Sequence, residues 1–395
     1  RIFYILVLLS FIFSLAGVEG SFSVAFHCFL LLLFGGFYQT GMPIRVKGVL
    51  FLAGVAGVFY ITRNPIVMNV WRRGQFVALG SRNFTKAGFE RAEKGWNVHA
   101  LDVDLQSKRY MVTGANSGIG YVTALELARR GATVDMVCRN AERGDSARRK
   151  IVEETGNERV ELRICDMSSM ENICGLAAEF EGEAVSLHGL INNAGCMVNS
   201  FTKTKEGIEV NFATNSLGVY HLTKLMIPSL RRGASGGGDE YSRVVFVSSG
   251  GMLTEPLVVA DVEGVNEKPF DGARQYSRNK RQQVVMAMRF ADMYRDDGVH
   301  FYSMHPGWCD TDSLKEAMPG FYEKFKDSFR TVAQGADSVV WLAISKEVDS
   351  IQSGEFVFDR HAVPKHLPLL AGTQSSPSEI ESLFAKYEDY LSRVS

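Results

Sequence analysis

The sequence is poor in cysteine and proline and carries no excess of either charge. Six cysteines, Cys28, Cys138, Cys165, Cys174, Cys196 and Cys309, are scattered over 395 residues without a CxxC pair or an even framework. They read as reduced thiols, which excludes a disulfide-stapled scaffold. The eight histidines include no HExxH or comparable ligand spacing, so no metal site is expected. The net charge is −1, from 43 basic and 44 acidic residues. Nothing in that balance drives nucleic-acid binding, and no acidic tail is present. Only 10 prolines interrupt a chain that is 46% apolar, ample material for one large core or two smaller ones.

Charge is nearly missing from the first 67 residues, where Arg1, Glu19, Arg45, Lys47 and Arg63 are the only formal charges. The uncharged stretch 20–44 is long enough to cross a bilayer, which takes roughly 20 apolar residues, whereas 48–62 is short. Two readings are open. Either 1–67 is a hydrophobic membrane anchor carrying a cytosolic catalytic domain, or it reflects a misplaced gene start, with Met68 the initiator of a cytoplasmic protein. Residues 68–104 form a basic and aromatic extension, in which Trp71, Phe76, Phe84, Phe89 and Trp96 alternate with Arg72, Arg73, Arg82, Lys86, Arg91 and Lys94. Such a helix can lie on an anionic membrane. Packing on its own domain is the favoured reading.

From residue 105 to about 360, strand and helix patterns alternate. They predict an α/β fold: a Rossmann-type doubly wound parallel sheet of about seven strands in a single domain, preceded by the hydrophobic segment. The expected strands are 109–113, 133–138, 160–165, 187–191, 243–247, 299–304 and 355–359. A tail, 361–395, follows. Its Ser376, Pro377 and Glu379 stand at the N-cap, N1 and N3 of a helix whose Ile380, Leu383, Phe384, Tyr387 and Leu391 recur at helical spacing.

The first strand runs into Thr113-Gly114-Ala115-Asn116-Ser117-Gly118-Ile119-Gly120. Glycines allow a tight turn and close approach to a pyrophosphate, and the helix that follows offers free N–H groups to the anion. At the end of the second strand, where NAD-binding sheets place a carboxylate, stands Arg139. A cation there suits a 2′-phosphate, which favours NADP(H) and leaves NAD(H) open. Asn193-Ala194-Gly195 follows the fourth strand, and Ser248-Ser249 the fifth. Tyr276 and Lys280 lie four apart on a helix, hence on one face. Each element alone has an ordinary explanation. Together and in this order they rarely arise by chance.

In these motifs, with Pro306-Gly307 and Thr311 further on, the chain resembles the short-chain dehydrogenase/reductase family over roughly residues 105–360. The strings LINNAGCMVN, VSSGGML, NKRQQVV, SMHPGWCDT and DRHAVPKHLP resemble one group within it. The resemblance implies Tyr276 as acid/base and Lys280 as the group that lowers the tyrosine pKa and holds the nicotinamide ribose. It implies Ser249 on the substrate oxygen and Asn215 in support of a proton relay, with Asn211 the alternative. It puts Asp166 at the adenine, and the glycine turn, Asn193–Gly195, Pro306, Gly307 and Thr311 around the dinucleotide.

The chemistry is coherent without the family. Hydride transfer to a carbonyl develops charge on oxygen, and a tyrosine of ordinary pKa, about 10, needs a neighbouring cation to exchange protons near neutrality. The leading expectation is therefore an oxidoreductase acting on an apolar carbonyl or alcohol, as a monomer or a homodimer. The rival is a non-catalytic dinucleotide-binding scaffold or sensor, which has no need of the tyrosine. Twenty-six residues separate Ser249 from Tyr276, an insert carrying Asp261, Glu263 and Glu267 that is expected as a surface flap. The aromatic run Trp308, Phe321, Tyr322, Phe325 and Phe329 fits either a helix on its core or the lining of a substrate pocket.

Overall fold

The computed structural model describes residues 64–234, 241–368 and 371–394. The hydrophobic segment up to residue 63 therefore lies outside the described residues. Among those described, no helix is long and apolar enough to cross a membrane.

Short apolar runs build a sheet buried on both sides. Its strands are β1 (Arg109–Thr113), β2 (Thr133–Cys138), β3 (Val160–Ile164), β4 (Gly189–Asn192), β5 (Ser242–Val247), β6 (Val299–Met304), β7 (Phe356–Phe358) and β8 (His361–Ala362), in the order β3-β2-β1-β4-β5-β6-β7-β8. All neighbours pair in parallel except β7 and β8. Eight strands replace the seven expected. The eighth, two residues long, returns on β7 through a turn of Asp359 and Arg360, both at positive φ (50° and 61°), and so short a hairpin leaves no period in the sequence.

Alternate side chains of the central strands feed two cores. Val244, Phe246 and Phe301 face one; Val245, Val247, Tyr302 and Met304 face the other. The second core is closed by α1 (Gly118–Arg129), α2 (Ala141–Thr155) and α3 (Val332–Ile344). The first is closed by α4 (Met170–Gly182), α5 (Gly218–Ala234), α6 (Gly272–Met293) and α7 (Pro377–Val394). The last of these starts at a reciprocal cap: the Glu379 amide donates to Ser376 Oγ (3.3 Å), and the Ser376 amide donates to Glu379 (2.7 Å). Leu383, Phe384, Tyr387 and Leu391 are its buried face.

The chain divides into two compact units. Among the described residues, one takes in 64–77, 368, 371 and 372; within it, Arg72 Nε donates to the Ala371 carbonyl (2.6 Å). The other comprises Ala78–Leu367 and Thr373–Ser395 and holds the whole sheet. The aromatic extension enters this second unit well before residue 105. Phe84 is buried, edge-on to His305 (4.4 Å) and Phe358 (5.2 Å). Arg330 locks the contact. It pairs through two oxygens with Asp359 (2.6 and 2.8 Å), donates to the Asn83 carbonyl (2.9 Å), and lies over the Phe89 ring (5.3 Å).

Candidate active site

The glycine turn is shaped by backbone that only glycine adopts easily. Gly114 and Gly118 have φ of +67° and +57°. A methyl group on Gly120 would come within 2.4 Å of both the Gly114 carbonyl and Asn193 Nδ2, so α1 packs tightly under the loop after β4. A methyl group on Gly118 would meet nothing within 4 Å, and the N-cap Ser117 makes no side-chain bond to the first turn. The start of α1 is thus a helix N-terminus that opens onto space, a shape and polarity suited to a pyrophosphate. Ala115 is fully buried, Asn116 and Ile119 partly so. The amides of Ala115 and Asn116 aim at the Cys138 sulfur, whose thiol burial pushes up to about 11.

Thr113, the first residue of the turn motif but given no role by it, ties this turn to the next loop. Its hydroxyl accepts from the amides of Asn193 (3.0 Å) and Ala194 (2.9 Å), while Asn193 Nδ2 donates to the Thr113 carbonyl (2.9 Å). Past β2, Arg139 is exposed. Past β3, Asp166 Oδ1 accepts from the amide (2.9 Å) and hydroxyl (2.8 Å) of Ser168.

The two serines after β5 diverge. Ser248 is buried and donates to the Lys280 carbonyl (2.7 Å), locking β5 to α6. Ser249 is only partly buried, accepts from the Gly251 amide (3.2 Å) and hydrogen-bonds Tyr276. Tyr276 is raised far above its ordinary pKa, first by burial and then by the neighbouring Cys196 thiol, with the Ser249 bond opposing. Lys280 Nζ lies 5.4 Å from the Tyr276 ring centre and donates to the Val247 carbonyl (2.7 Å) and Gln283 Oε1 (3.3 Å). Burial lowers this ammonium to about 7. The expectation that Lys280 pulls the tyrosine down therefore meets an opposing effect: in the dry site, desolvation moves both groups toward neutrality.

Asn215 sits in a widened π-helical turn, Ala213–Leu217, ahead of α5. Its side chain clasps Cys196 by two bonds, accepting from the amide and donating to the carbonyl (both 2.8 Å). A methyl on Gly195 would lie 3.1 Å from Asn215 Oδ1 and 3.5 Å from Lys280 Nζ, so these three meet at one point. Asn211 is used elsewhere: it accepts from the Val198 amide (2.8 Å) and donates to Glu209 (2.8 Å). Gly307, at φ +81°, packs under Arg330, whose Nη1 donates to the Pro306 carbonyl (3.4 Å). Thr311 has its hydroxyl on the Leu314 amide (3.3 Å), capping a short helix. Arg330 lies in no motif, and Gln283, although within NKRQQVV, was given no role by it; each acts through partners distant in sequence.

The insert is not a loose flap. Leu257 and Val262 reach the core, and Glu263 accepts from the Glu209 amide (2.7 Å). Glu267 pairs with Arg274 and with Arg278 (2.6 Å). Of the aromatic run, Trp308 and Phe329 are buried, and Phe321 bridges them (ring centres 5.1 and 5.9 Å). Among the described residues no cluster of His, Cys, Asp or Glu is arranged to hold a metal.

This geometry has parallels in known proteins. The family model for short chain dehydrogenases matches residues 108–320, more than half of the chain. The chain belongs to the short-chain dehydrogenase/reductase family. It is 46% identical over 316 residues to human (Homo sapiens) dehydrogenase/reductase SDR family member 12, spanning 80% of this chain and 96% of that one. It is 34% identical over 261 residues to human retinol dehydrogenase 11, covering 66% and 79% of the two chains. Among solved structures, an uncharacterised protein of Mycobacterium paratuberculosis superposes with a TM-score of 0.58 at 26% identity, over 75% of this chain and 98% of that one.

Proposed function

We propose that this chain is an NADP(H)-dependent oxidoreductase, moving a hydride between nicotinamide and the carbonyl or alcohol carbon of an apolar small molecule. NAD(P)-dependent oxidoreduction is the chemistry of its family. The observation that carries the reading is Lys280. Its ammonium, buried and without an ion-pair partner among the described residues, stands beside Tyr276, which hydrogen-bonds Ser249; a dinucleotide-binding scaffold could use the lysine for the ribose but has no need of the tyrosine and serine joined to it.

The dinucleotide, when bound, supplies or accepts the hydride. Gly114, Asn116, Ser117, Gly118, Ile119 and Gly120 would hold its pyrophosphate, Arg139 a 2′-phosphate, and Asp166 the adenine. Asn193, Ala194, Gly195, Pro306, Gly307 and Thr311 would complete the cleft, and Lys280 the ribose. Ser249 would donate to the substrate oxygen as charge develops there. Tyr276 would deliver the proton to that oxygen, and the charged form of Lys280 beside it would offset the burial that raises the hydroxyl's pKa. Asn215 would fix the loop bearing Gly195. These residues fall within 105–360, with 68–104 and 361–395 as flanking supports. Retinol dehydrogenase 11 lends weight to an apolar aldehyde or alcohol, and the aromatic run beside Gly307 suits one.

The test is NADPH consumption by the purified protein against retinoid, fatty-aldehyde, steroid and quinone carbonyls. Turnover of at least one apolar carbonyl is expected. NADPH binding without turnover of any would favour the scaffold.

A further inference from the structure

The polar run Asn279-Lys280-Arg281-Gln282-Gln283 on α6 is buried throughout, which is unusual for a helix and calls for partners. Gln283 is fully buried one turn beyond Lys280, on the same face. Its amide spans two groups. Oε1 accepts from Lys280 Nζ (3.3 Å), and Nε2 donates to the backbone carbonyl of Asn215 (2.8 Å). The orientation is forced, because an ammonium has only donors and a carbonyl only lone pairs. The Asn215 side chain is already committed to Cys196. Its carbonyl belongs to the turn in which the ladder slips, the Gly218 amide reaching back to Ala213. Such a turn is where a side chain can enter the helix ladder.

We propose that Gln283 is a positioning residue that clamps Lys280 to the Asn215 turn, fixing the ammonium beside Tyr276 and favouring its charged form. The proposal rests on the reading of this site as a reductase. An amide cannot pass a proton along without tautomerising, so Gln283 acts through Lys280 and not as a relay. The groups that face Lys280 are few. Tyr276 comes from its own helix, the Cys196 thiol from the loop after β4, and the neutral Val247 carbonyl from β5. The Asn215 turn contributes only neutral groups. With no carboxylate in that set, the Gln283 oxygen is one of the two acceptors that hold the lysine's charge.

Two variants and two readouts test this. Gln283→Leu removes both bonds; Gln283→Glu keeps an acceptor for Lys280 and adds a negative charge. The Lys280 Nζ titration, followed by 15N-lysine NMR in the cofactor-free protein with Lys280→Met as the assignment control, should move down by about one unit in Gln283→Leu and up in Gln283→Glu. The alkaline limb of kcat should move the same way, with kcat in Gln283→Leu at neutral pH lower by about tenfold. Should Gln283→Leu fail to fold, Gln283→Met, close in volume and lacking both bonds, takes its place with the same expected downward shift. An unchanged Lys280 titration and unchanged pH profile in the folded variants would overturn the proposal, leaving Gln283 a packing residue. If no carbonyl is turned over at all, the reductase reading fails, and the NMR arm still decides whether Gln283 holds the lysine's charge.

Discussion

At the residue scale the site is governed by desolvation. Lys280 has a folded-state pKa of about 7 against an ordinary 10.5, so between those values the unfolded chain binds the extra proton. Stability then rises with pH through that window, and the cost of the buried charge is fully present below it. Lys280→Met should therefore melt higher than the unmodified protein at pH 6, by a few kcal/mol at most, with the gain shrinking toward pH 10. Thermal melts of the cofactor-free proteins at the two pH values check the sign; a gain that grows with pH contradicts it. Arg139→Asp should weaken NADPH binding by roughly ten- to a hundredfold and help NADH, because a charge-assisted contact becomes a repulsion. Fluorescence titrations with both dinucleotides read this, and an unmodified protein that already prefers NADH refutes the assignment. Tyr276, Lys280, Ser249 and the glycines were legible in sequence because each lies in a short local string. Thr113, Gln283 and Asp359 also lie in such strings, but their roles and that of Arg330 were not legible, since these lie in partners 80, 68 and 29 positions away.

At the scale of elements, the strand runs read clearly because a sheet buried on both faces leaves continuous apolar stretches such as Val244–Val247. The eighth strand escaped because two residues carry no period. The role of α7 was half visible. Its cap and apolar stripe stand in the sequence, but its link to the site does not: Tyr387, fully buried, meets the Ser216 hydroxyl (2.7 Å) next to Asn215 and stacks on Tyr220 (4.6 Å). Leu383→Ala should cost about 2–5 kcal/mol, and Tyr387→Phe about 1–2 by leaving Ser216 unpaired. Denaturant midpoints measure both. Amides across 378–391 should also be protected from hydrogen exchange, and free exchange there would mean that the helix does not dock.

At the scale of the whole molecule, the unit that holds the sheet begins at Ala78, upstream of the first strand by some thirty residues. Phe84 and Phe89 are buried parts of it, and Arg330 is wired to the Asn83 carbonyl. A chain beginning at Met68 should therefore be soluble and folded, whereas one beginning at residue 105 should aggregate or melt far lower; equal melting temperatures would show that the extension is ornamental. The hydrophobic head should be dispensable for chemistry, since every proposed catalytic group lies beyond residue 105. The central claim, that this fold is a working reductase and not a dinucleotide-binding scaffold, comes down to one comparison. NADPH-dependent reduction of the best carbonyl in the panel is followed in the unmodified protein and in Tyr276→Phe, with NADPH affinity determined for both. Loss of the proton donor should lower kcat by about a hundredfold or more while the affinity stays within about twofold. Equal rates in the two proteins, with NADPH bound by each, would contradict it.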